Sequence, residues 1–334
     1  MTREIFGTLK SGEVVEIITL TNDLAELKIM NRGATIVSFK PYGINIVGGY
    51  DGLDGYEADT SSYQGAIVGR VANRIGDASF TMDGAIYMVT ANDNGNCLHG
   101  GEGYSYKLWN IEDTSEDSVT MSYYSHDGED GFPSGLAIKV KFTLSDAAVI
   151  IEYEAVPEGK TPIALTNHAY FNLDGFGDVI DKHIATIYAD RYTDVDGKLI
   201  PNGERPSVDG NAFDFRSPKA IGEDFGKSVD GYDHNFILCP EIYKEFGEKS
   251  LGLAARVTNE KLILNVYTDQ PGIQFYTGNF LGGEPDFAGG AKRVRHGAFC
   301  LEAQTEPNCI NSGVGFYDAG EVYRQTTVYE VIKL

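Results

Sequence analysis

Between Ile138 and Leu144 every second residue is apolar, with Lys139, Lys141 and Thr143 set between Ile138, Val140, Phe142 and Leu144. Side chains alternate between two faces only in an extended chain, so this pattern dictates a strand with one buried face. The β-rich run Val149 to Val156 follows just after Ser145-Asp146, and the two segments read as a hairpin. Similar short runs recur at Val14 to Thr21, Ala34 to Phe39, Val119 to Tyr124, Leu262 to Thr268 and Val328 to Lys333. Turn sequences such as Asp83-Gly84, Asp127-Gly128, Asp196-Gly197 and Pro201-Asn202-Gly203 punctuate the chain. Helical candidates are confined to Gly52 to Ala58 and Pro218 to Phe225, both too interrupted by Gly to make a bundle or crossover helices. The 40 Gly, 20 Tyr and 17 Phe against 5 Met agree with strands and turns. The expected fold is all-β, a large β-sandwich of several sheets. No linker, repeat or low-complexity tract divides it, so residues 1–334 are expected to form a single domain.

Charge narrows the partners. Lys and Arg number 27 and Asp and Glu 49, so a formal charge of −22 disfavours nucleic acid or an anionic membrane. No segment from Met1 to Leu20 has the apolar run of a signal peptide, and no later stretch is long enough to span a bilayer, so a cytoplasmic location is expected. Cys97, Cys239, Cys300 and Cys309 form no CxxC pair and read as reduced, mostly structural thiols. The chain lacks GxxxxGK, a GxGxxG opening a helix, HExxH and GxSxG. His99, His168, His234 and His296 with Glu302 could converge only through the fold, and no metal site is expected.

Three segments place polar groups on one strand face. In Ile163 to Leu173, Thr166, His168, Tyr170 and Asn172 share a face, opposite Leu165, Ala169, Phe171 and Leu173, which puts His168 in a wet groove. In Gly272 to Asn279, Gln274 and Tyr276 lie opposite Ile273 and Phe275. In Ala298 to Gln304, Glu302 falls with Cys300 and Gln304, opposite Phe299, Leu301 and Ala303. A carboxylate among apolar neighbours is costly unless it meets solvent or a partner, which makes Glu302 a candidate functional acid. Three further clusters are Gly69-Arg70-Val71-Ala72-Asn73-Arg74-Ile75, Leu98-His99-Gly100-Gly101 and Tyr232-Asp233-His234. Arg74 reads equally as an ion-pair partner, and His99 and Asp233 equally as turn residues.

Taken in order, these blocks, with Thr166-Asn167-His168-Ala169-Tyr170-Phe171-Asn172-Leu173, Gln274-Phe275-Tyr276-Thr277-Gly278-Asn279 and Phe299-Cys300-Leu301-Glu302-Ala303-Gln304, resemble the aldose 1-epimerase (galactose mutarotase) family over nearly the whole chain. The resemblance implies a galactose mutarotase-like β-supersandwich with an open sugar cleft and no metal or organic cofactor. It also implies interconversion of the α and β anomers of free aldohexoses such as galactose and glucose, by a monomer or homodimer. By motif position it makes Glu302 the general base and His168 the general acid. Asn73, Arg74, His99, Asp233 and Gln274 take sugar-contacting positions, and Tyr170 lines the same site. On this reading His168 stays protonated near neutrality, favoured by Asp233 and Glu302. A glycosidase using Asp233 and Glu302 and a non-catalytic sugar-binding or sensor module are the alternatives. A sugar-phosphate epimerase would need a basic clamp, for which Arg70 and Arg74 are the candidates.

Overall fold

The computed structural model describes residues 1–334 and consists almost entirely of antiparallel strands, with one six-residue α-helix, Leu53–Ala58. The predicted hairpin forms from strands Leu136–Ser145 and Ala148–Pro157, closed so that Ser145 pairs with Ala148. Leu136, Ile138, Val140, Phe142 and Leu144 are buried, and Ala137, Lys139, Lys141 and Ser145 are exposed, as the alternation requires. Val14–Thr21 and Leu262–Thr268 form strands with the expected bounds, and Val328 to Lys333 is the end of a longer strand, Tyr323–Lys333.

The hairpin lies within a ten-stranded sheet, which also holds Tyr323–Lys333, Leu262–Thr268 and Lys249–Thr258. A five-stranded sheet faces it, in the order Tyr170–Phe171, Phe299–Gln304, Gly272–Tyr276, Asp233–Leu238, Ala189–Tyr192. Phe171, Ile273, Phe275, Phe299 and Leu301 from the smaller sheet join Phe142, Leu264, Tyr329 and Val331 from the larger in one core. Each such fully buried side chain contributes roughly 1.5–3 kcal/mol of apolar transfer free energy, which commits one face of the five-stranded sheet to the interior. The opposite face carries Tyr170, Tyr276 and Cys300, which pack with Tyr50, Tyr56 and Val15 in a second cluster beside the N-terminal four-stranded sheet.

Two sequence expectations are corrected. Pro218 to Phe225 is not a helix: Lys219–Ala220 is a short strand, and the N–H groups of Ile221 and Gly222 bond the carbonyls of His183 and Asp181 instead of the preceding turn. Ile163 to Leu173 is not one strand either. Thr166–Asn167 and Tyr170–Phe171 are separate two-residue strands on different sheets, and His168 bridges them. All four cysteines are free, Cys239 exposed and the others buried. No helix is long and apolar enough to cross a membrane.

Candidate active site

A cleft of about 890 Å³ opens over the face of the five-stranded sheet that does not belong to the main core. The antiparallel register builds its floor. Tyr170 pairs with Cys300, Cys300 with Tyr276, and Tyr276 with Asp233, while Glu302 pairs with Gln274 one row along. Because facing residues in a ladder project on the same side, Tyr170, Tyr276, Asp233 and Glu302 are delivered together to the cleft.

His168 comes from the bridge between the two short strands. Its backbone is clamped at both ends, N–H to Ala66 O at 2.9 Å and C=O accepting from Gly65 N–H at 3.0 Å. This fixes its Nε2 at 3.8 Å from Glu302 Oε1. His99 stands on the opposite wall with its ring centroid 5.1 Å from that of His168, edge to face. His99, Gly100 and Gly101 all have positive φ, and a Cβ on Gly100 would lie 2.2 Å from Gly69 O, so this turn can pass the Gly69–Arg70 backbone only as glycine. Asn73 N–H donates to His99 Nδ1 at 3.1 Å, which leaves the proton of the neutral ring on Nε2 and makes His99 a donor into the cleft. Asn73 also holds Arg74, whose N–H donates to Asn73 Oδ1 at 2.8 Å. Arg74 Nε bonds Asp93 at 2.7 Å, and its Nη1 lies 3.9 Å from Asp233 Oδ2.

Gln274, paired with Glu302 and on the same face, donates from Nε2 to Asp233 Oδ1 at 2.7 Å, so it orients Asp233 from within that face. Asn73, Arg74, His99, His168, Tyr170, Asp233 and Glu302 all line the cleft. Arg70, the other cation of its cluster, turns inward: 1% exposed, it donates to Tyr104, Pro133, Ser134, Thr161 and Ser125. It is a structural pin and no part of a phosphate clamp. Of the possible metal ligands, His99, His168 and Glu302 place their donor atoms within 4.8 Å of one another. His234 packs on Phe213, and His296 Nδ1 bonds Thr277 O. With Asn73 donating to its Nδ1, His99 offers the group a protonated nitrogen rather than a lone pair.

The polar faces are less wet than their alternation suggested. His168 is 5% and Glu302 2% exposed, because the N-terminal segments wall the cleft. Burial therefore dominates both proton affinities. It raises the Glu302 carboxyl well above its usual range, with the charge of Asp233 adding to the rise and that of Arg74 opposing it. It lowers the His168 imidazole to about 4, and the supporting charge comes from Asp59 rather than from Asp233 or Glu302. The expectation that neighbouring carboxylates keep His168 an imidazolium near neutrality is thus corrected: burial opposes the imidazolium as it opposes the Glu302 carboxylate.

The aldose 1-epimerase family model matches residues 16–330. The chain belongs to the aldose 1-epimerase family. Human galactose mutarotase is 41% identical over 93% of this chain and 92% of its own length. The aldose 1-epimerase of Escherichia coli K12 is 35% identical over 99% of both chains. Among solved structures, an aldose epimerase homologue from C. elegans superposes with a TM-score of 0.86 at 28% identity, covering 95% of this chain and 99% of that one. The galactose 1-epimerase of Lactobacillus acidophilus shares the fold with a TM-score of 0.86 at 24% identity, covering 99% and 98%. The galactose mutarotase-like sandwich expected from the motifs is therefore the fold of this aldose 1-epimerase family chain.

Among the residues of this family member's cleft that escaped the sequence reading are Tyr63, whose ring lies 4.6 Å from His99, and the buried Arg293, whose Nη1 lies 3.7 Å from Oδ2 of Asp59. Each comes from a loop, where no period marks a face.

Proposed function

We propose that this chain is a cytoplasmic mutarotase that interconverts the α and β anomers of free aldohexoses such as galactose and glucose, with Glu302 as general base and His168 as general acid. The observation that carries the assignment is the buried Glu302–His168 pair, 3.8 Å apart on the floor of the cleft. Its relatives are epimerases, which does not favour a glycosidase or a non-catalytic sugar-binding module.

Opening a hemiacetal ring requires one proton to leave the anomeric hydroxyl and one to reach the ring oxygen. Glu302 as carboxylate takes the O1 proton, C1=O1 forms, C1–O5 breaks, and His168 gives its proton to O5. The pair has then become neutral, and rotation about C1–C2 presents the other carbonyl face. Reclosure runs with the roles reversed, returning the pair to carboxylate and imidazolium. Sugar hydroxyls promote the charged form, because Glu302 Oε2 is buried without any hydrogen-bond partner until a ligand supplies one. Arg74 and the Nε2–H of His99 steady the developing charge, and Asp233, held by Gln274 and Arg74, accepts from hydroxyls.

Polarimetry of freshly dissolved α-galactose tests the activity: wild-type protein accelerates relaxation to the anomeric equilibrium. An unchanged rate for galactose, glucose and other common aldoses would sink the proposal. The same assay gives the pH dependence. A pair that holds one proton is lost on the acid side only when His168 also binds one in the free enzyme, near pH 4, and on the alkaline side only above the raised range of Glu302. The acid limb of kcat/KM is therefore expected near 4, and a limb centred on the ordinary histidine range would contradict it.

A further inference from the structure

The hydrogen-bond partner of the His168 ring is a sulfur. Cys300 Sγ lies 3.6 Å from His168 Nδ1, within reach of a bond to sulfur. The other ring nitrogen, Nε2, faces Glu302 Oε1 at 3.8 Å. The rings of Tyr63, His99, Tyr170 and Tyr276 pack around the imidazole, with centroids 5.9, 5.1, 5.0 and 6.4 Å away. Cys300 is fully buried, and it pairs with Tyr170 on one side and Tyr276 on the other, so both neighbouring strands hold it in place. It stands two residues before Glu302 on Phe299–Gln304 and on the same face, roughly 6.8 Å along the strand. One strand therefore carries both the carboxylate and the contact that fixes the imidazole.

A thiol can donate to a bare Nδ1 or accept from a protonated one, and the chemistry chooses between them. This step rests on the reading above, in which His168 serves O5 from Nε2. To give a proton to O5 and take it back on reclosure, Nε2 must alternate between N–H and lone pair while Nδ1 keeps its proton. A thiol donating to Nδ1 would leave the neutral ring protonated on Nε2, the form that cannot recover the O5 proton. We propose that Cys300 is a positioning residue whose Sγ accepts a hydrogen bond from His168 Nδ1–H and so holds the ring in the tautomer that turns a bare Nε2 to the sugar. The thiol itself gains and loses no proton in the cycle. Burial, helped by the charges of Glu302 and Asp233, holds its pKa well above the usual thiol range, so it stays neutral beside them. A carboxylate at this point would add negative charge next to Glu302 and bind the imidazolium proton more tightly. Sulfur, a weak acceptor, orients the ring and leaves its proton easy to release, and its own S–H is too weak a donor to make a missing partner costly.

The test measures kcat and KM for galactose with wild type, Cys300→Ala and Cys300→Ser, and reads the His168 tautomer from ¹⁵N chemical shifts on the alkaline side of the ring's titration. Wild type is expected to show the Nδ1–H form. Cys300→Ala is expected to lower kcat roughly 3- to 10-fold, the worth of one hydrogen bond, with KM unchanged and the ¹⁵N shifts moved toward the Nε2–H form. Cys300→Ser, whose oxygen accepts in place of sulfur, is expected to restore most of kcat together with the Nδ1–H form. A wild-type ring protonated on Nε2, an Ala variant with full kcat, or Ala and Ser variants slowed alike overturns the role of Cys300. If the Ala variant does not fold, the wild-type tautomer and the rate of the Ser variant decide in the same way. Wild-type protein that accelerates no aldose overturns instead the epimerase reading on which the role rests.

Discussion

Glu302→Gln is expected to lower kcat for anomer interconversion by roughly 100- to 10,000-fold, the usual worth of a positioned general base, while the sugar still binds. Gln keeps the shape and one acceptor oxygen but cannot take the O1 proton, so the loss falls on the chemical step and not on uniform binding. The same substitution carries a second readout. Burial raises the Glu302 pKa, so above the ordinary carboxylate range the folded state binds more protons than the unfolded one, and stability falls as pH rises through the raised value. Gln removes that slope. The variant should therefore be more heat-stable than wild type at neutral pH, with the gain shrinking toward acid pH. Near-full activity would remove Glu302 from the base role, and a variant that is inactive because it is unfolded would show itself in the melting curve.

His168→Gln is expected to cost a comparable 100- to 10,000-fold in kcat, because an unprotonated O5 leaves C1 as a poor alkoxide. Burial depresses the His168 pKa to about 4, so the folded state binds fewer protons than the unfolded one between about 4 and the ordinary histidine value. Wild-type stability therefore falls as pH drops through that window, and the variant lacks this fall. The double variant Glu302→Gln with His168→Gln should be little slower than either single one, since each proton transfer is useless without the other. Costs that simply multiply would show that the two residues act independently.

The strands that carry the site were legible where they are regular. Phe299–Gln304 and Gly272–Tyr276 keep a strict period of two, so Glu302, Gln274 and Tyr276 fall on the face their spacing assigns, opposite Phe299, Leu301, Ile273 and Phe275 in the core. His168 reaches the cleft although its segment is broken into two short strands, because Thr166 and Tyr170 keep their hydrogen bonds on either side of it. What spacing could not show is what other segments place on top. The walls that bury His168 and Glu302 belong to distant parts of the chain, and with them comes the reversal in proton affinity. Nor does the local pattern around Arg70 and Arg74 say that Arg70 turns inward toward Ser125 and Thr161 while Arg74 meets Asp93 at the cleft. Arg293 and Asp59 lie far apart in sequence and on irregular segments, so only the fold joins them.

The central claim is that the cleft breaks C1–O5 and leaves C1–O1 intact, because the carboxylate stands at O1 and the imidazole at O5. Catalysed interconversion of galactose in ¹⁸O-labelled water tests it directly, with label at C1 followed by mass spectrometry as the anomers equilibrate. Ring opening and reclosure keep O1 on C1 throughout, so label should enter no faster than without enzyme while anomer exchange runs to completion. Label entering in step with inversion at C1 would contradict the account, since it would mean that O1 departs and water replaces it.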